Sequence, residues 1–341
     1  MSSYKEVIDE QRRKLSPNIR WWPLYLYHFT DIHNAVSIIK GEYIYGRKTA
    51  SEKGLMTTEN ASVNVINITD ETVTEYVRLY MRPKTPTQYY NEGHKPEHIR
   101  KQDLNANCPI PVFFFLDARK TLSMDGIKFV EKGLASHSIE SKKFLSGPES
   151  FSTLNFSKIF HDGYHEPGSD IIQYKHTEVI RKVGIPISEI IRGVVCRSIA
   201  EKQTLLYLLK NNARNKYAKY KKIIRFKPSI DVFYNNGIFI RKVRFEDGIF
   251  YFELNDSERR YNKTNANGKD IDVEITIDWL GQDQQILSRN VGRAVIDYGH
   301  ANLVTYRPKN EVIANNVHIK VTFDGCLMYQ NILNIGKFEI V

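Results

Sequence analysis

The alternation of hydrophobic and polar positions changes character near residue 224. From Ser229 onward, short runs with apolar residues at every second position are separated by Asn-Gly or Asp-Gly turns. These turns are Asn236-Gly237, Asp247-Gly248, Asn267-Gly268 and Asp324-Gly325. Such dipeptides close two-residue β-hairpins, and short strands in succession are typical of a β-sandwich or an open barrel. The pattern therefore predicts an all-β, sandwich-like domain over 225–341 and a separate domain over 1–224.

The first domain mixes helical and strand periodicities, which indicates an α+β fold. Residues 24–29 predict a strand, and Asp31 is placed to cap the helix that follows. The apolar residues of that helix stand at helical spacing before Gly41, which ends it. They are Ile32, Ala35, Val36 and Ile39. A short strand over 43–45 completes this segment.

Further strands are predicted downstream in the same domain. Residues 75–82 have β-forming composition and stop at Pro83. The apolar run 111–116 predicts a buried central strand, and two more strands surround Glu178 and Val195. A helix over 199–211 follows, with a leucine-rich apolar face.

Composition and charge narrow the class of protein. A hydrophobic content of 41% is that of a folded globular chain, and no apolar run approaches the roughly 20 residues that span a bilayer. The N-terminus lacks the apolar core of a signal peptide. The cysteines Cys108, Cys196 and Cys326 are far apart and odd in number, which argues against a disulfide framework. We therefore expect a cytoplasmic protein with no membrane partner.

The formal net charge of +10 is the first indication of a partner. Excess Lys and Arg attract polyanions, although a basic protein without such a partner is equally compatible with charge alone. The segment 210–227 is basic without one acidic residue, and Tyr217 and Tyr220 lie among its charges. It is suited to following phosphates and stacking bases; a solvated helix end and linker would show the same composition.

Several familiar sites are absent from the sequence. There is no glycine-rich dinucleotide fingerprint, no phosphate loop and no Gly-x-Ser-x-Gly. His161 and His165 would share one face, as a metal pair needs, only if their segment were helical. Gly163, Pro167 and Gly168 predict a loop there. We therefore expect no metal.

Motifs that mean little alone occur in one informative order along residues 24–200. Five of them succeed one another: Tyr27-His28-Phe29-Thr30, then residues 76–86 (YVRLYMRPKTP), 130–136 (VEKGLAS), Leu154-Asn155-Phe156, and Thr177-Glu178-Val179-Ile180. Their order and spacing resemble those of the DarT family of nucleic-acid ADP-ribosyltransferases. The resemblance implies an ADP-ribosyltransferase-like split β-sheet and a pentosyl transfer that uses NAD as co-substrate.

The resemblance also assigns site residues. Glu178 would be the catalytic carboxylate, stabilising the positive charge that builds on the ribose when the nicotinamide bond breaks, and it is also a candidate to deprotonate the acceptor base. His28, Phe29 and Thr30 would bind the nicotinamide ribose through side-chain and backbone groups. Ser37 and Tyr45 fall at positions expected to line the NAD pocket.

One departure from the family pattern concerns arginine. Thymidine-modifying members carry an essential Arg between the first helix and the YVxxY strand, where this chain has only Arg47, close to the start. Two-residue periodicity would direct Arg78 and Arg82 to one face of their strand. We therefore assign the diphosphate-binding or base-activating role to Arg82 first, Arg78 second and Lys84 third.

The resemblance leads us to expect transfer of ADP-ribose to a base in single-stranded DNA, with RNA as the close alternative acceptor. It also implies a toxin of a toxin–antitoxin or phage-defence system, neutralised by an antitoxin. Without the family order, His28 would read as a core residue, Glu178 as a solvent-facing one, and the arginines as surface charges. A degenerate, non-enzymatic nucleic-acid or protein-binding module is the rival interpretation.

Overall fold

The chain was analysed as a computed structural model that describes residues 3–56, 71–102, 106–134, 143–257, 260, 270–309 and 314–338. It forms two compact units. The first unit comprises Met1–Asn91, Val112–Val195 and Ser229–Tyr234, and the second comprises Glu92–Pro111, Cys196–Pro228 and Asn235–Val341. The units therefore interleave along the chain, whereas the sequence predicted one boundary after residue 224. That domain boundary stays a prediction.

Helices and strands alternate in the first unit. Its helices are Tyr4–Lys14 (α1), Ile32–Gly41 (α2), Arg47–Glu52 (α3), Pro86–Asn91 (α4), Ala118–Leu122 (α6), Gly147–Ser152 (α7), Phe156–Ile159 (α8) and Ile171–Tyr174 (α9), with 3₁₀ turns at Trp22–Leu24 and Glu71–Glu75. Its strands are Tyr25–Asp31 (β1), Tyr43–Ile44 (β2), Val77–Tyr80 (β3), Pro111–Asp117 (β4), Lys128–Val130 (β5), Glu178–Arg181 (β6), Ile185–Pro186 (β7) and Ile191–Cys196 (β8).

The main sheet of this unit has the strand order β5-β6-β3-β1-β4-β8, and β2 pairs with β7 in a separate ribbon. Four consecutive strands align in one row across the sheet, because Tyr27 pairs with Tyr80, Tyr80 with Glu178, and Glu178 with Val130. The predicted split sheet is confirmed. The predicted central strand is confirmed as well, since every residue from Pro111 to Leu116 in β4 is buried.

The start of the unit follows its sequence signals closely. Asp31 caps α2 by accepting a hydrogen bond from the His33 amide at 2.9 Å, and the helix ends at Gly41 as predicted. β3 is shorter than predicted, since it ends at Tyr80 and the chain bends before Pro83. This early end decides where Arg82 points.

The second unit is mainly a sandwich of two sheets. Its helices are Glu97–Gln102 (α5), Ile199–Asn212 (α10) and Arg214–Tyr220 (α11), and its strands are Ile224–Arg225 (β9), Ile240–Glu246 (β10), Ile249–Leu254 (β11), Asp270–Leu280 (β12), Ile286–Asp297 (β13), Leu303–Tyr306 (β14), Ala314–Phe323 (β15) and Cys326–Phe338 (β16). One sheet has the order β10-β11-β14 and the other β13-β12-β15-β16. Alternate residues such as Phe250 and Trp279 fill one shared core, with ring centroids 6.5 Å apart. The predicted all-β architecture is confirmed, although the Asn267-Gly268 turn lies outside the described residues.

Candidate active site

A single carboxylate lies fully buried at the start of β6. Glu178 has no exposed surface, and protein donors hold both of its oxygens. Oε1 accepts hydrogen bonds from Arg78 Nε at 2.9 Å and from Arg78 Nη2 at 2.6 Å. Oε2 accepts one from the Leu134 amide at 3.0 Å. A buried carboxylate needs such partners, and these fix the position of this one.

Sheet register brings Arg78 to Glu178. Arg78 stands opposite Ile180 on the antiparallel pair of β3 and β6, and Tyr80 stands opposite Glu178. Arg78 and Glu178 are therefore diagonal neighbours on one sheet face, a separation that a long side chain spans. No such contact is readable from the sequence, because the two residues are 100 positions apart.

A strained turn supplies the third hydrogen bond. Lys132 and Gly133 both have left-handed backbone angles, with φ of 64° and 74°, and together they direct the Leu134 amide at Glu178. A Cβ on Gly133 would stand 2.9 Å from that of His176, so no larger residue fits without displacement. The turn lies in the 130–136 motif, of which Ala135 and Ser136 fall outside the described residues.

Glu178 also sets the charge state of Arg78. Burial opposes the guanidinium charge, but the adjacent carboxylate outweighs burial and raises the pKa of Arg78. The Arg78 side chain keeps 30% exposure, unlike Glu178, and this exposed part faces a cavity.

The cavity has a volume of about 260 Å³, and its described lining residues lie within 28–56 and 73–78 of the first unit. Its polar and aromatic wall comprises His28, Thr30, Asn34, Ser37, Tyr43, Tyr45, Arg47, Thr74, Tyr76 and Arg78. Four residues predicted to bind a dinucleotide are thus brought together here, namely His28, Thr30, Ser37 and Tyr45. Apolar walls with a few converging polar groups are usual for small-molecule sites.

His28 faces the cavity as a neutral ring. Burial lowers the pKa of His28 to about 4, against a weaker opposing effect of its hydrogen bond to a backbone carbonyl. That bond joins Nδ1 to the Arg78 carbonyl oxygen at 3.4 Å. A carbonyl only accepts, so Nδ1 carries the proton and Nε2 is left as an acceptor.

Two predicted site residues lie elsewhere. Phe29 points to the opposite side of β1, where its ring packs 5.3 Å from that of Phe113 in the core. Only its backbone can take part in binding. Lys84 forms an ion pair with Asp231 at 2.6 Å and does not line the cavity.

The side chain of Arg82, which was placed first among the arginines from the sequence, is buried and hydrogen-bonded to backbone groups. It is 2% exposed, and it donates to the carbonyl oxygens of Pro83 at 2.9 Å, Ile159 at 3.0 Å and His161 at 2.5 Å. Its guanidinium lies 4.7 Å from the ring centroid of Trp22. Burial lowers its pKa to about 10, so it stays charged at neutral pH. The structure therefore brings Arg78, not Arg82, to the carboxylate, while the role of each arginine in the reaction stays a prediction.

Sequence reasoning did not select Arg47, which lines the cavity at the start of α3. Gly46 sets its position, since a Cβ there would lie 2.4 Å from the Glu75 carbonyl oxygen. Beside it, the rings of Tyr43 and Tyr45 stack 5.5 Å apart. A usable signal existed, because Arg47 is the only arginine between residues 46 and 75.

The donor set of the cavity suits a dinucleotide. Arg47 and Arg78 supply guanidinium groups, which match phosphate oxygens in geometry and charge. Thr30 and Ser37 supply hydroxyls for sugar groups.

As for a metal site, the described residues contain no group of three or more His, Cys, Asp or Glu side chains close enough to hold an ion. His161 and His165 lie in a loop, as predicted, with ring centroids 6.1 Å apart.

Comparisons with known proteins identify the family. The family model described as ssDNA thymidine ADP-ribosyltransferase, DarT, matches residues 27–234, well over half of the chain. The chain therefore belongs to the DarT family. No curated protein matches it.

Solved structures with a similar fold include the following three. Thermus sp. 2.9 DarT in complex with ADP-ribosylated ssDNA is 14% identical, with a TM-score of 0.48 over 62% of this chain and 97% of that one. The same protein in complex with NAD+ is 14% identical, with a TM-score of 0.45 over 62% and 98%. Thermosipho africanus DarTG in complex with ADP-ribose is 12% identical, with a TM-score of 0.43 over 65% and 53%.

The match to the family model confirms the DarT family that the motif order predicted. With it, transfer of ADP-ribose to a base in single-stranded DNA, with NAD as co-substrate, is confirmed at the level of the family. The roles of individual residues, the neutralising partner and the cytoplasmic location stay predictions. Among the described residues, no helix has the length and apolar character needed to cross a membrane.

Proposed function

We propose that this chain transfers ADP-ribose from NAD to thymidine in single-stranded DNA, with Glu178 as the catalytic carboxylate. The observation that carries the proposal is the contact between Glu178 and Arg78, whose exposed part lines the cavity. This contact links the buried Glu178 carboxylate to a cavity lined by the neutral His28 and by two arginines, Arg47 and Arg78. Thymidine is the acceptor that the family description names.

The reaction breaks the bond between the ribose C1′ and the nicotinamide nitrogen and builds positive charge on the ribose. The Glu178 carboxylate stabilises that charge, as carboxylates do in glycoside cleavage. Thymine has one ring N–H, at N3, so the new bond forms between N3 and C1′. The N3 proton passes to Glu178 and then to solvent, while neutral nicotinamide leaves with the electron pair of the broken bond.

Arg78 is a positioning residue for this step. It holds the Glu178 carboxylate in place through two hydrogen bonds, and the carboxylate has no exposed surface. For Glu178 to touch the ribose, the Arg78 guanidinium must turn towards the cavity, where a phosphate oxygen can replace the carboxylate as its partner. Leu134 keeps its hydrogen bond to Oε2 meanwhile.

The remaining cavity residues divide between the two ends of NAD. His28 and Thr30 bind the nicotinamide ribose, where the His28 Nε2 acceptor suits a ribose hydroxyl or an amide N–H. Ser37 and Tyr45 line the pocket further along α2 and β2. Arg47 takes the place of the arginine that thymidine-modifying members carry between the first helix and the third strand.

A cell that makes this activity needs protection from it. We therefore extend the proposal to a toxin whose antitoxin binds the chain or removes the modification. The support is family membership alone. Growth arrest on expression of the chain, absent for Glu178→Gln, is the expected result; unimpaired growth at equal protein levels would contradict it.

The acceptor is tested with radiolabelled NAD and four matched substrates: a thymidine-containing DNA strand, the same strand with thymidine replaced by deoxycytidine, the corresponding RNA, and a protein pool. We expect label on the first substrate only. Label on RNA alone would replace the DNA assignment, and label on the thymidine-free strand would remove thymidine. No label on any substrate would favour the non-enzymatic rival.

A further inference from the structure

We propose that the surface formed by residues 210–227 of the second unit, termed the basic surface, binds the phosphate backbone of single-stranded DNA outside the catalytic cavity. This inference rests on the proposed function only in its choice of DNA as the polyanion. The cations of the basic surface are Lys210, Arg214, Lys216, Lys219, Lys221, Lys222, Arg225 and Lys227. These eight cations, with no acidic residue among them, account for most of the net charge of +10.

The charges are displayed to solvent. All of them except Lys216 are exposed, while α11 is anchored in the unit by the buried Tyr220 and by Ala213 just before it. Arg214, Lys219 and Lys222 therefore project from the outer side of α11 and the turn after it. A helix that presents cations over its exposed side follows a phosphate backbone well.

Five of these cations have no acidic partner. Among the described residues, Lys210, Arg214, Lys222, Arg225 and Lys227 form no ion pair, while several arginines on the sandwich of the same unit do. There, Arg244 contacts Glu253 at 2.7 Å, Arg289 contacts Asp278 at 2.6 Å, and Arg293 contacts Glu274 at 3.1 Å. Uncompensated like charges repel one another, so a concentration of them is stabilised when a polyanion binds.

Aromatic groups and the lack of apolar ones favour a nucleic acid over a membrane. Lys221 Nζ lies 5.4 Å from the ring centroid of the half-buried Tyr217, an arrangement in which the ring can stack on a base while the ammonium meets a phosphate. An interfacial membrane helix needs a large apolar face. No large apolar side chain is exposed between residues 184 and 285 of the described chain.

The test measures binding of a fluorescent DNA single strand to the full chain without NAD, so that the result does not depend on transfer. The variant Lys221→Ala/Lys222→Ala/Arg225→Ala removes three charges from the basic surface. The control Arg241→Ala/Lys242→Ala/Lys320→Ala removes three exposed charges from the sandwich of the same unit. Both variants must melt at the wild-type temperature.

We expect the first variant to bind about tenfold or more weakly at 150 mM salt and the control to bind as wild type. The slope of log affinity against log salt should shrink by about 2, since each phosphate contact on a single strand contributes about 0.7. In transfer assays, the KM for DNA should rise with kcat unchanged. Equal binding by all three proteins, or equal weakening in the control, would overturn the proposal. The proposal would also be overturned if the first variant bound DNA as wild type but no longer bound anionic phosphatidylserine vesicles or RNA.

Discussion

At the scale of residues, two arginines four positions apart have opposite roles. Arg78 binds a carboxylate at the cavity, whereas Arg82 donates to three carbonyl oxygens within the unit. A lysine in either position keeps the charge but loses the planar fork of donors. The two substitutions should therefore fail in different ways.

We expect Arg78→Lys to lower kcat tenfold or more with a small change in stability, because lysine lacks the planar fork that first positions Glu178 and then meets a phosphate. Arg82→Lys should cost about 2–4 kcal/mol of unfolding free energy, since buried carbonyls left without a donor cost about 1–3 kcal/mol each. Its kcat per folded molecule should be nearly unchanged. Urea denaturation and single-turnover transfer measure the two effects, and the reverse pattern would restore Arg82 as the site arginine.

His28 gives a prediction about pH. Its pKa is lowered to about 4 in the fold, so between pH 6.5 and 4 the unfolded chain binds a proton there that the folded chain does not. The contribution of His28 to stability is thus lost as pH falls through this window. At about 1.4 kcal/mol per pKa unit, the loss over this window is at most about 3.5 kcal/mol. Denaturation of wild type and His28→Gln should converge towards pH 4; a constant difference would contradict this.

The positions of site residues were predictable from the sequence only where motif order carried them. The order of motifs selected His28 and Glu178 together. The predicted common face of Arg78 and Arg82 is not formed, because periodicity was extended over 81 and 82, where the strand has already ended. Arg47 was visible as the only arginine of its stretch, but its place in the cavity depends on the close approach of Gly46 to Glu75, which no local pattern encodes.

At the scale of elements, the turn at Lys132-Gly133 connects β5 to the site. Its left-handed backbone brings the Leu134 amide to Glu178. Strain of this kind is kept where the surrounding structure requires it. A substitution in the turn therefore tests whether the third hydrogen bond matters for catalysis.

Gly133→Ala should lower kcat about tenfold, because the added Cβ meets His176 and shifts the turn. Gly147→Ala is the matched control, since Gly147 also has positive φ, at 82°, but nothing lies within 4 Å of its added Cβ. Both should lose about 1–2 kcal/mol of stability from backbone strain. Transfer rates corrected for the folded fraction separate the variants, and equal rates would remove the turn from the mechanism.

Most elements followed from local signals. The Asp31 cap, the spacing of Ile32 to Ile39 and Gly41 predicted α2 correctly, because each signal acts within a few residues. Asp247-Gly248 and Asp324-Gly325 likewise predicted the β10–β11 and β15–β16 hairpins correctly, whereas Asn236-Gly237 lies in a described segment that joins no pair of neighbouring strands. β3 was predicted too long because its sequence stays β-forming up to Pro83, while tertiary contacts of Arg82 with Trp22 and Ile159 bend the chain earlier.

At the scale of the whole molecule, the two compact units exchange segments of chain. Ser229–Tyr234 belongs to the first unit, although it follows α10 and α11 of the second. Val232 and Phe233 pack with Tyr27, Phe113 and Phe115 in the core behind β1. A chain cut before residue 229 would lose these residues, so we expect such a deletion to impair the folding and the chemistry of the first unit.

Phe233→Ala in the full chain tests this connection. The ring is 6% exposed, and removal of a buried phenylalanine costs about 3–5 kcal/mol. We expect a loss of that size for the first unit, seen as earlier loss of transfer activity in urea. The β-sheet signal of the sandwich should melt as in wild type. Unchanged activity midpoints would show that Ser229–Tyr234 is dispensable.

The proposed role of Glu178 as the catalytic carboxylate is decided by a comparison of two proteins. Wild type and Glu178→Gln are each given radiolabelled NAD and thymidine-containing single-stranded DNA, with NAD binding and melting temperature measured in parallel. We expect labelling of DNA by the wild type and a fall of about 10²–10³-fold in Glu178→Gln, with folding and NAD binding retained. Labelling by Glu178→Gln at the wild-type rate would contradict this role.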